Sequence, residues 1–260
     1  MPIKMIVTDL DGTLLRSDKT ISSYSIAVLD KARKYGVKVV YATGRGGSAE
    51  QVAPAEFFDG RITMNGAIAK IGDSMVYNRI IPFQTARPIL MACDRRGMRI
   101  TSEMSGMHYS NFIVSDLWQG ITNFLTVDFS RHEMDAEKIY TPDPTPDDIK
   151  FFDEILPDDL YLVLTSDVDG FLGQIMHKEA TKGQAVYALA NHWGISISEV
   201  IAFGDDFNDI EMLRKCGIGV AVENAIEEVR AAADYICDSN DNDGVAKWLD
   251  ESFFESRDFF

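Results

Sequence analysis

The sequence predicts an α/β fold: a parallel sheet flanked by helices and interrupted by an inserted α+β segment. Short apolar runs alternate with helix-period segments near both ends of the chain, the rhythm of βαβ units. Three of these runs pass directly into polar clusters: Asp9-Leu10-Asp11-Gly12-Thr13, Thr43-Gly44-Arg45-Gly46-Gly47 and Gly204-Asp205-Asp206-Phe207-Asn208-Asp209. From Pro82 to about Thr181 the alternation is lost, which marks the insert.

The first apolar run, Ile3 to Val7, fits a strand buried on both faces. Ser22 or Ser23 caps a helix that runs to Tyr35, with Ile26, Leu29 and Ala32 on its apolar stripe and Gly36 at its end. Val37 to Tyr41 supplies a second strand. Arg61 to Met64 is a further short strand that meets Asn65-Gly66, a strong hairpin signal, and Gly72-Asp73 turns a small antiparallel ribbon over residues 67–78. In the insert, Phe83 to Arg96 has the spacing of a helix stopped by Gly97, followed by strand-like pieces around Met98–Thr101 and His108–Val114. The alternate prolines of Thr141-Pro142-Asp143-Pro144-Thr145-Pro146 predict a loop and not a strand interior. Leu160–Thr165 and Phe171–Met176 form a hairpin around Asp167-Val168-Asp169-Gly170. The α/β rhythm then resumes with a helix Gly183–Trp193, a strand Val200–Phe203 and a helix Ile210–Cys216. A strand Ile218–Val222, a helix Ala225–Ala233 and a strand Tyr235–Cys237 complete it.

Composition narrows the function. A formal net charge of −16 argues against nucleic acid and against anionic membrane surfaces, both of which need clustered Lys and Arg. No apolar stretch approaches bilayer length, and Met1 leads almost at once into the first strand. Cys93, Cys216 and Cys237 are an odd number without CxxC spacing and lie in apolar sequence, so no disulfide framework is expected. The expectation is a soluble cytoplasmic protein whose partner is a small molecule.

Asp9 and Asp11 leave the first strand at i and i+2, on one face of an extended chain. In an open α/β sheet that strand end is where ligands bind. Taken alone, the pair fits an Asp-rich turn and helix cap equally well. A parallel sheet, however, brings Thr43 and Gly44 to the same edge, together with Asp205, Asn208 and Asp209, while Lys182-Gly183 opens a helix. A carboxylate trio suits a hard divalent cation such as Mg²⁺, which takes a few protein oxygens beside substrate phosphate oxygens. A hydroxyl, a helix N-terminus and a lysine suit the phosphoryl oxygens themselves. The combination points to phosphoryl transfer with a carboxylate as candidate nucleophile.

With these motifs in this order the chain resembles the haloacid dehalogenase superfamily of aspartate-nucleophile phosphatases, and within it the Cof-type branch (subfamily IIB). The resemblance spans the whole chain and rests on Asp9-Leu10-Asp11-Gly12-Thr13-Leu14, Ala42-Thr43-Gly44-Arg45, Thr181-Lys182-Gly183 and Gly204-Asp205-Asp206-Phe207-Asn208-Asp209. Asn65-Gly66-Ala67, Asn224-Ala225 and Asp243-Gly244-Val245-Ala246 also match the branch. It implies a Rossmann-like core of residues 1–82 and 182–260 and an α+β cap of residues 83–181 that selects the substrate. Asp9 would attack phosphorus and form an aspartyl-phosphate. Asp11 would protonate the leaving alkoxide, then deprotonate the hydrolytic water. Mg²⁺ would be held by Asp9, Asp205 and the main-chain carbonyl of Asp11. Thr43, the Gly44 amide, Lys182 and Asn208 would contact the phosphate, with Thr13 and Asp209 behind them. Two acids this close resist double ionisation, so one pKa is expected to be pushed upward, as a general acid requires.

The implied activity is hydrolysis of a small phosphorylated metabolite, a sugar phosphate foremost, by a monomer or weak homodimer. A phosphosugar mutase of the same superfamily, or a phosphometabolite-binding protein without turnover, fits the same motifs. One departure is Glu223, where the branch usually carries a small residue.

Other features have plainer readings. Lys178 competes with Lys182 for the phosphate, and the following Gly183 favours Lys182. The acidic run Asp238 to Gly244 lacks the glycine position of an EF-hand loop and is expected to be a solvated turn and helix cap. His108, His132, His177 and His192 show no metal-ligand spacing and are expected to be ordinary surface or core histidines; for His177 alone, near the end of the insert, contact with substrate is the alternative reading. Met104 and Met107 are expected to pack, and the Phe-rich tail (Phe253, Phe254, Phe259, Phe260) to lie on the core.

Overall fold

Strand β1 (Met5–Thr8) is buried along its whole length, as an apolar run must be when both neighbours in a sheet cover it. The computed structural model to which it belongs describes residues 2–167 and 170–254. Helix α1 (Ser23–Lys34) starts where the Ser22 hydroxyl accepts the Ser25 amide at 3.0 Å, and it lays Val28, Leu29 and Ala32 into the core. Strand β2 (Lys38–Ala42), the short α2 (Ala49–Val52) and β3 (Gly60–Thr63) follow. Strands β4 (Ile68–Ile71) and β5 (Ser74–Asn78) then fold back antiparallel. The hairpin expected at Asn65-Gly66 therefore extends the main sheet by two antiparallel strands.

The insert runs through α3 (Phe83–Arg95), β6 (Thr101–Met104), β7 (Met107–Ser110), β8 (Phe124–Thr126) and β9 (Lys138–Pro142). Helix α4 (Pro146–Ile155) and the hairpin β10 (Leu160–Asp167) and β11 (Gly170–His177) complete it. Its six strands form a separate sheet in the order β10-β11-β9-β6-β7-β8.

The chain then returns with α5 (Lys182–His192), β12 (Val200–Gly204), α6 (Ile210–Lys215), β13 (Ile218–Val222), α7 (Glu227–Ala232), β14 (Tyr235–Cys237) and α8 (Gly244–Trp248). The main sheet has the order β14-β13-β12-β1-β2-β3-β4-β5. Pairing of β1 with both β12 and β2 is parallel, with Thr8 opposite Phe203 and Tyr41. Three strand ends therefore finish level, at Asp9, Thr43 and Asp205.

The chain divides into two compact units, Met1–Asn78 with Thr181–Phe260, and Arg79–Ala180. Each has its own apolar core. Ile81 belongs to the second, because its amide and carbonyl pair with those of Ala136 at 2.7 and 2.8 Å.

Three local expectations need correction. Thr141 and Pro142 end strand β9 and are not loop: β6 pairs no further along than Tyr140, so Pro142 has a neighbour only on the β11 side, where proline is tolerated. Helix α4 was hidden in the same proline-rich stretch. Thr145 and Asp148 form a reciprocal cap, with Pro146 in the first turn, a start signal that the proline count obscured. Strand β8 had no apolar alternation to announce it. The Asp167–Gly170 turn falls partly on Val168 and Asp169, which lie outside the described residues, as do Phe259 and Phe260. Phe254 packs its ring 5.8 Å from that of Tyr35.

Candidate active site

The loop after β1 is tied down from several directions. Leu14 and Leu15 are buried, and the Asn224 side-chain amide donates to the Gly12 carbonyl at 2.7 Å. Arg16 forks onto Asp243 at 2.6 and 3.1 Å, so the acidic run before α8 is a structural brace for this loop. Gly12 has φ +78°, and a Cβ there would lie 2.2 Å from Asp205 Oδ2. Only glycine lets the two strand ends approach this closely. Thr13, itself buried, donates from Oγ1 to Asp205 Oδ1 at 2.8 Å.

Lys182 stands at the centre. Thr181 caps α5 by accepting the Gln184 amide at 3.2 Å, and the ammonium of Lys182 lies 2.6 Å from Asp9 Oδ1 and 2.6 Å from Asp209 Oδ1. All three side chains are almost fully buried. Burial works against the ammonium, yet Asp209 and Asp9 outweigh it and hold its pKa above the usual lysine value. Two of its three hydrogens are committed to these carboxylates, and the third is left to donate to an incoming anion. Asp209 also accepts the Asp205 and Asp206 amides, through Oδ2 at 3.0 and 3.2 Å. Lys178, its sequence rival, is exposed in the second unit.

The two acids of the first motif have opposite electrostatics, and not in the expected sense. Burial pushes the Asp9 pKa well above the carboxylate range; Lys182 pulls it back, and Asp209 and Asp205 add to the rise. Asp11 is the acid held down. Arg45 donates to it from Nε at 2.5 Å and Nη2 at 2.7 Å, and Lys19 donates at 2.8 Å. Those bonds, the Arg45 one foremost, keep the Asp11 pKa at about 2 against the opposing effect of burial. The acid driven upward is therefore Asp9. Asp11 is half-buried beside two cations that sequence spacing could not place, although Arg45 directly follows Thr43-Gly44.

Thr43 is buried at the end of β2, where its hydroxyl accepts the Arg45 amide at 3.1 Å. Asn208 is exposed on the turn after β12 and donates to Asn65 Oδ1 at 2.8 Å. In the sequence Asn65 is visible as a turn residue and as part of the Asn65-Gly66-Ala67 motif, neither of which assigns it a contact with Asn208. His177 accepts the Glu179 amide at 3.0 Å within the second unit. Glu223 is exposed on the turn after β13.

Carboxylate oxygens of Asp9, Asp205 and Asp209 come within 4.8 Å of one another. Burial pushes the Asp205 pKa to about 6, with Asp209 adding to the rise and Thr13 opposing it. When all three carboxylates are ionised, the Lys182 ammonium balances one of the three charges, and the two left over match one divalent cation. An all-oxygen donor set of this kind fits Mg²⁺. The Asp11 carboxylate is turned to Arg45 and Lys19 and lies outside this cluster, so any part it takes in holding a metal falls to its main-chain carbonyl.

Fold and site together define an α/β enzyme core with carboxylate chemistry at its sheet edge. The chain belongs to the haloacid dehalogenase-like hydrolase family, which matches residues 6–249. Several of its relatives are named phosphatases. It is 30% identical to the 5-amino-6-(5-phospho-D-ribitylamino)uracil phosphatase YcsE of Bacillus subtilis, over 94% of each chain. Among solved structures, the phosphatase BT1666 from Bacteroides thetaiotaomicron superposes with a TM-score of 0.81 at 28% identity, covering 96% of this chain and 94% of that one. The subclass IIB sugar phosphatase BT4131 gives 0.76 at 28% identity, over 95% and 98%.

Proposed function

We propose that the protein is a Mg²⁺-dependent phosphatase that hydrolyses a small phosphate monoester, a sugar phosphate foremost, through an aspartyl-phosphate on Asp9. The observation that carries this reading is the Asp9 carboxylate hydrogen-bonded to buried Lys182 at the level edge of three parallel strands. An Asp9 oxygen attacks phosphorus, the bond from phosphorus to the substrate oxygen breaks, and Lys182 neutralises charge on the phosphoryl group. A bound Mg²⁺ would add charge neutralisation and keep Asp9 ionised; Asp9, Asp205 and the Asp11 carbonyl are its assigned ligands, with Asp209 within reach.

Asp11 supplies the proton to the leaving alkoxide and then takes one from the water that cleaves the acyl phosphate. The ionised form held by Arg45 and Lys19 serves the second of these roles directly. Proton donation in the first requires that fork to open. Thr43, the Gly44 amide and Asn208 are assigned to the remaining phosphoryl oxygens.

The second unit is assigned as the cap that selects the leaving group. Its own sheet carries a polar group in register, Glu103 opposite both His108 and Lys138, with Tyr140 Oη 2.8 Å from His108 Nδ1 and Lys138 3.2 Å from Glu103. Glu103 and Tyr140 are buried and these side chains pair with one another, so the choice of a hydroxyl-rich substrate is supported by the sugar phosphatase among the structural neighbours. Three free, buried cysteines and the absence, among the described residues, of any helix able to cross a membrane support a cytoplasmic site of action.

Phosphate release from a panel of sugar, nucleotide and cofactor phosphates tests the reading. Hydrolysis that needs Mg²⁺, stops with EDTA and favours sugar phosphates supports it. Turnover that persists in EDTA removes the metal from the mechanism.

A further inference from the structure

The turn Met64–Gly66, which joins β3 to β4, has an unusual backbone: Met64 at φ 52°, Asn65 at φ 54° and Gly66 at φ 101°. Methionine is out of place in left-handed backbone, and this one is buried, so the surroundings impose the conformation. Three elements do so. Toward the Thr43 loop, the Met64 amide donates to the Arg45 carbonyl and the Asn65 amide to the Thr43 carbonyl, each at 3.0 Å. Toward α5, Gly66 lies so close that a Cβ on it would stand 2.1 Å from the Thr181 carbonyl and 2.6 Å from the Lys182 amide. Toward the loop after β12, Asn65 Oδ1 accepts from Asn208 Nδ2 at 2.8 Å. Gly44 is pressed against the same side chain, since a Cβ there would fall 2.8 Å from Asn65 Oδ1.

One residue thus touches the Thr43-Gly44 loop and Asn208, in a turn packed on the start of the helix that carries Lys182. An asparagine amide can present either its oxygen or its nitrogen to an anion, and only the nitrogen end attracts one. By accepting from Asn208 Nδ2, Asn65 sets which end of that amide points inward and leaves its second N–H to donate. We propose that Asn65 is a positioning residue for phosphoryl binding, acting through Asn208. The proposal rests on the phosphatase reading for what is bound, and its geometry is independent of which sugar or alcohol leaves.

Asn65→Gly separates the side chain from the backbone, because glycine keeps the left-handed conformation without strain. Asn65→Ala would put there a residue that disfavours left-handed backbone more than asparagine does, and so confound the two effects. The experiment compares wild type, Asn65→Gly, Asn208→Ala and the double variant for kcat and KM on an aryl phosphate, for inhibition by inorganic phosphate, and for Tm. Asn65→Gly should melt with wild type, lose about tenfold in kcat/KM and weaken inhibition by phosphate, the size of one hydrogen bond to an anion. On the Asn208→Ala background it should change kcat/KM by less than about twofold. An Asn65→Gly enzyme equal to wild type overturns the proposal, and so does an equal loss with and without Asn208. If wild type itself turns over no ester, calorimetric binding of inorganic phosphate to the same four proteins still decides the question. A phosphate affinity unchanged by Asn65→Gly then overturns it, while failure of the phosphatase reading is registered separately.

Discussion

Lys182 donates to Asp9 at 2.6 Å, and only 1% and 7% of the two side chains are exposed. A buried charge of either sign is expensive alone, so the nucleophile candidate and the lysine depend on each other. Asp209, wholly buried on the other side of the ammonium, makes the arrangement a triad.

Lys182→Met should therefore damage folding and catalysis together. Breaking a buried ion pair costs about 3–5 kcal/mol, less whatever protonation of Asp9 recovers. Urea unfolding at neutral pH measures this, and loss of a phosphoryl contact should lower kcat/KM by about 10²–10³-fold. A variant that stays fully active on an aryl phosphate would remove Lys182 from the site.

Asp9→Asn separates the two effects. Asparagine keeps an oxygen for Lys182 but cannot attack phosphorus, and turnover should fall by about 10⁴-fold or more. Because burial and neighbouring acids raise the Asp9 pKa, its charge is a cost to the folded protein at neutral pH. The variant should melt no lower than wild type in metal-free buffer. A marked drop in Tm by calorimetry would contradict a raised Asp9 pKa.

Asp205 makes a pH-dependent prediction. Its pKa of about 6 lies above the ordinary value, so the folded state holds the proton more tightly than the unfolded chain. That contribution to stability is complete below about pH 4 and is lost as pH rises through 6. In metal-free buffer Asp205→Asn should gain on wild type by a few °C between about pH 4 and pH 7. Mg²⁺ should reverse the ranking at neutral pH, since its ligands must be ionised. A difference in Tm that is flat across this range would count against the assignment.

Asp11 should behave oppositely. Arg45 and Lys19 hold its pKa at about 2, so the side chain stays ionised throughout the neutral range. A carboxyl-detected NMR titration of the metal-free protein should place its midpoint there. Arg45→Ala should raise it toward the ordinary value of about 3.9. A wild-type midpoint near or above 5 would show that the fork is not the resting state in solution.

Much of this was legible in the chain. Apolar runs at Ile3–Val7, Val37–Tyr41 and Val200–Phe203 announced buried strands, since parallel strands covered on both faces have no polar side to display. The polar clusters behind them announced a site, because Asp9, Thr43 and Asp205 are costly to gather without a ligand. Helix α4 was not legible, because its capping threonine sat among prolines that signal turns. Asp11 misled for a related reason: proximity to Asp9 argued for a raised pKa, and the cations that lower it come from Lys19 and Arg45.

What the sequence by itself determined is the order of most elements and the polar residues that stand at the strand ends, because hydrophobic period and motif spacing act over short stretches of chain. Which carboxylate has its pKa raised, which lysine reaches Asp9, and why Asn65 sits in left-handed backbone were decided only by tertiary structure. Charge–charge energies and hydrogen bonds depend on distances between residues far apart in sequence, 173 positions in the case of Asp9 and Lys182. No local pattern encodes those distances until the sheet has brought its strand ends level.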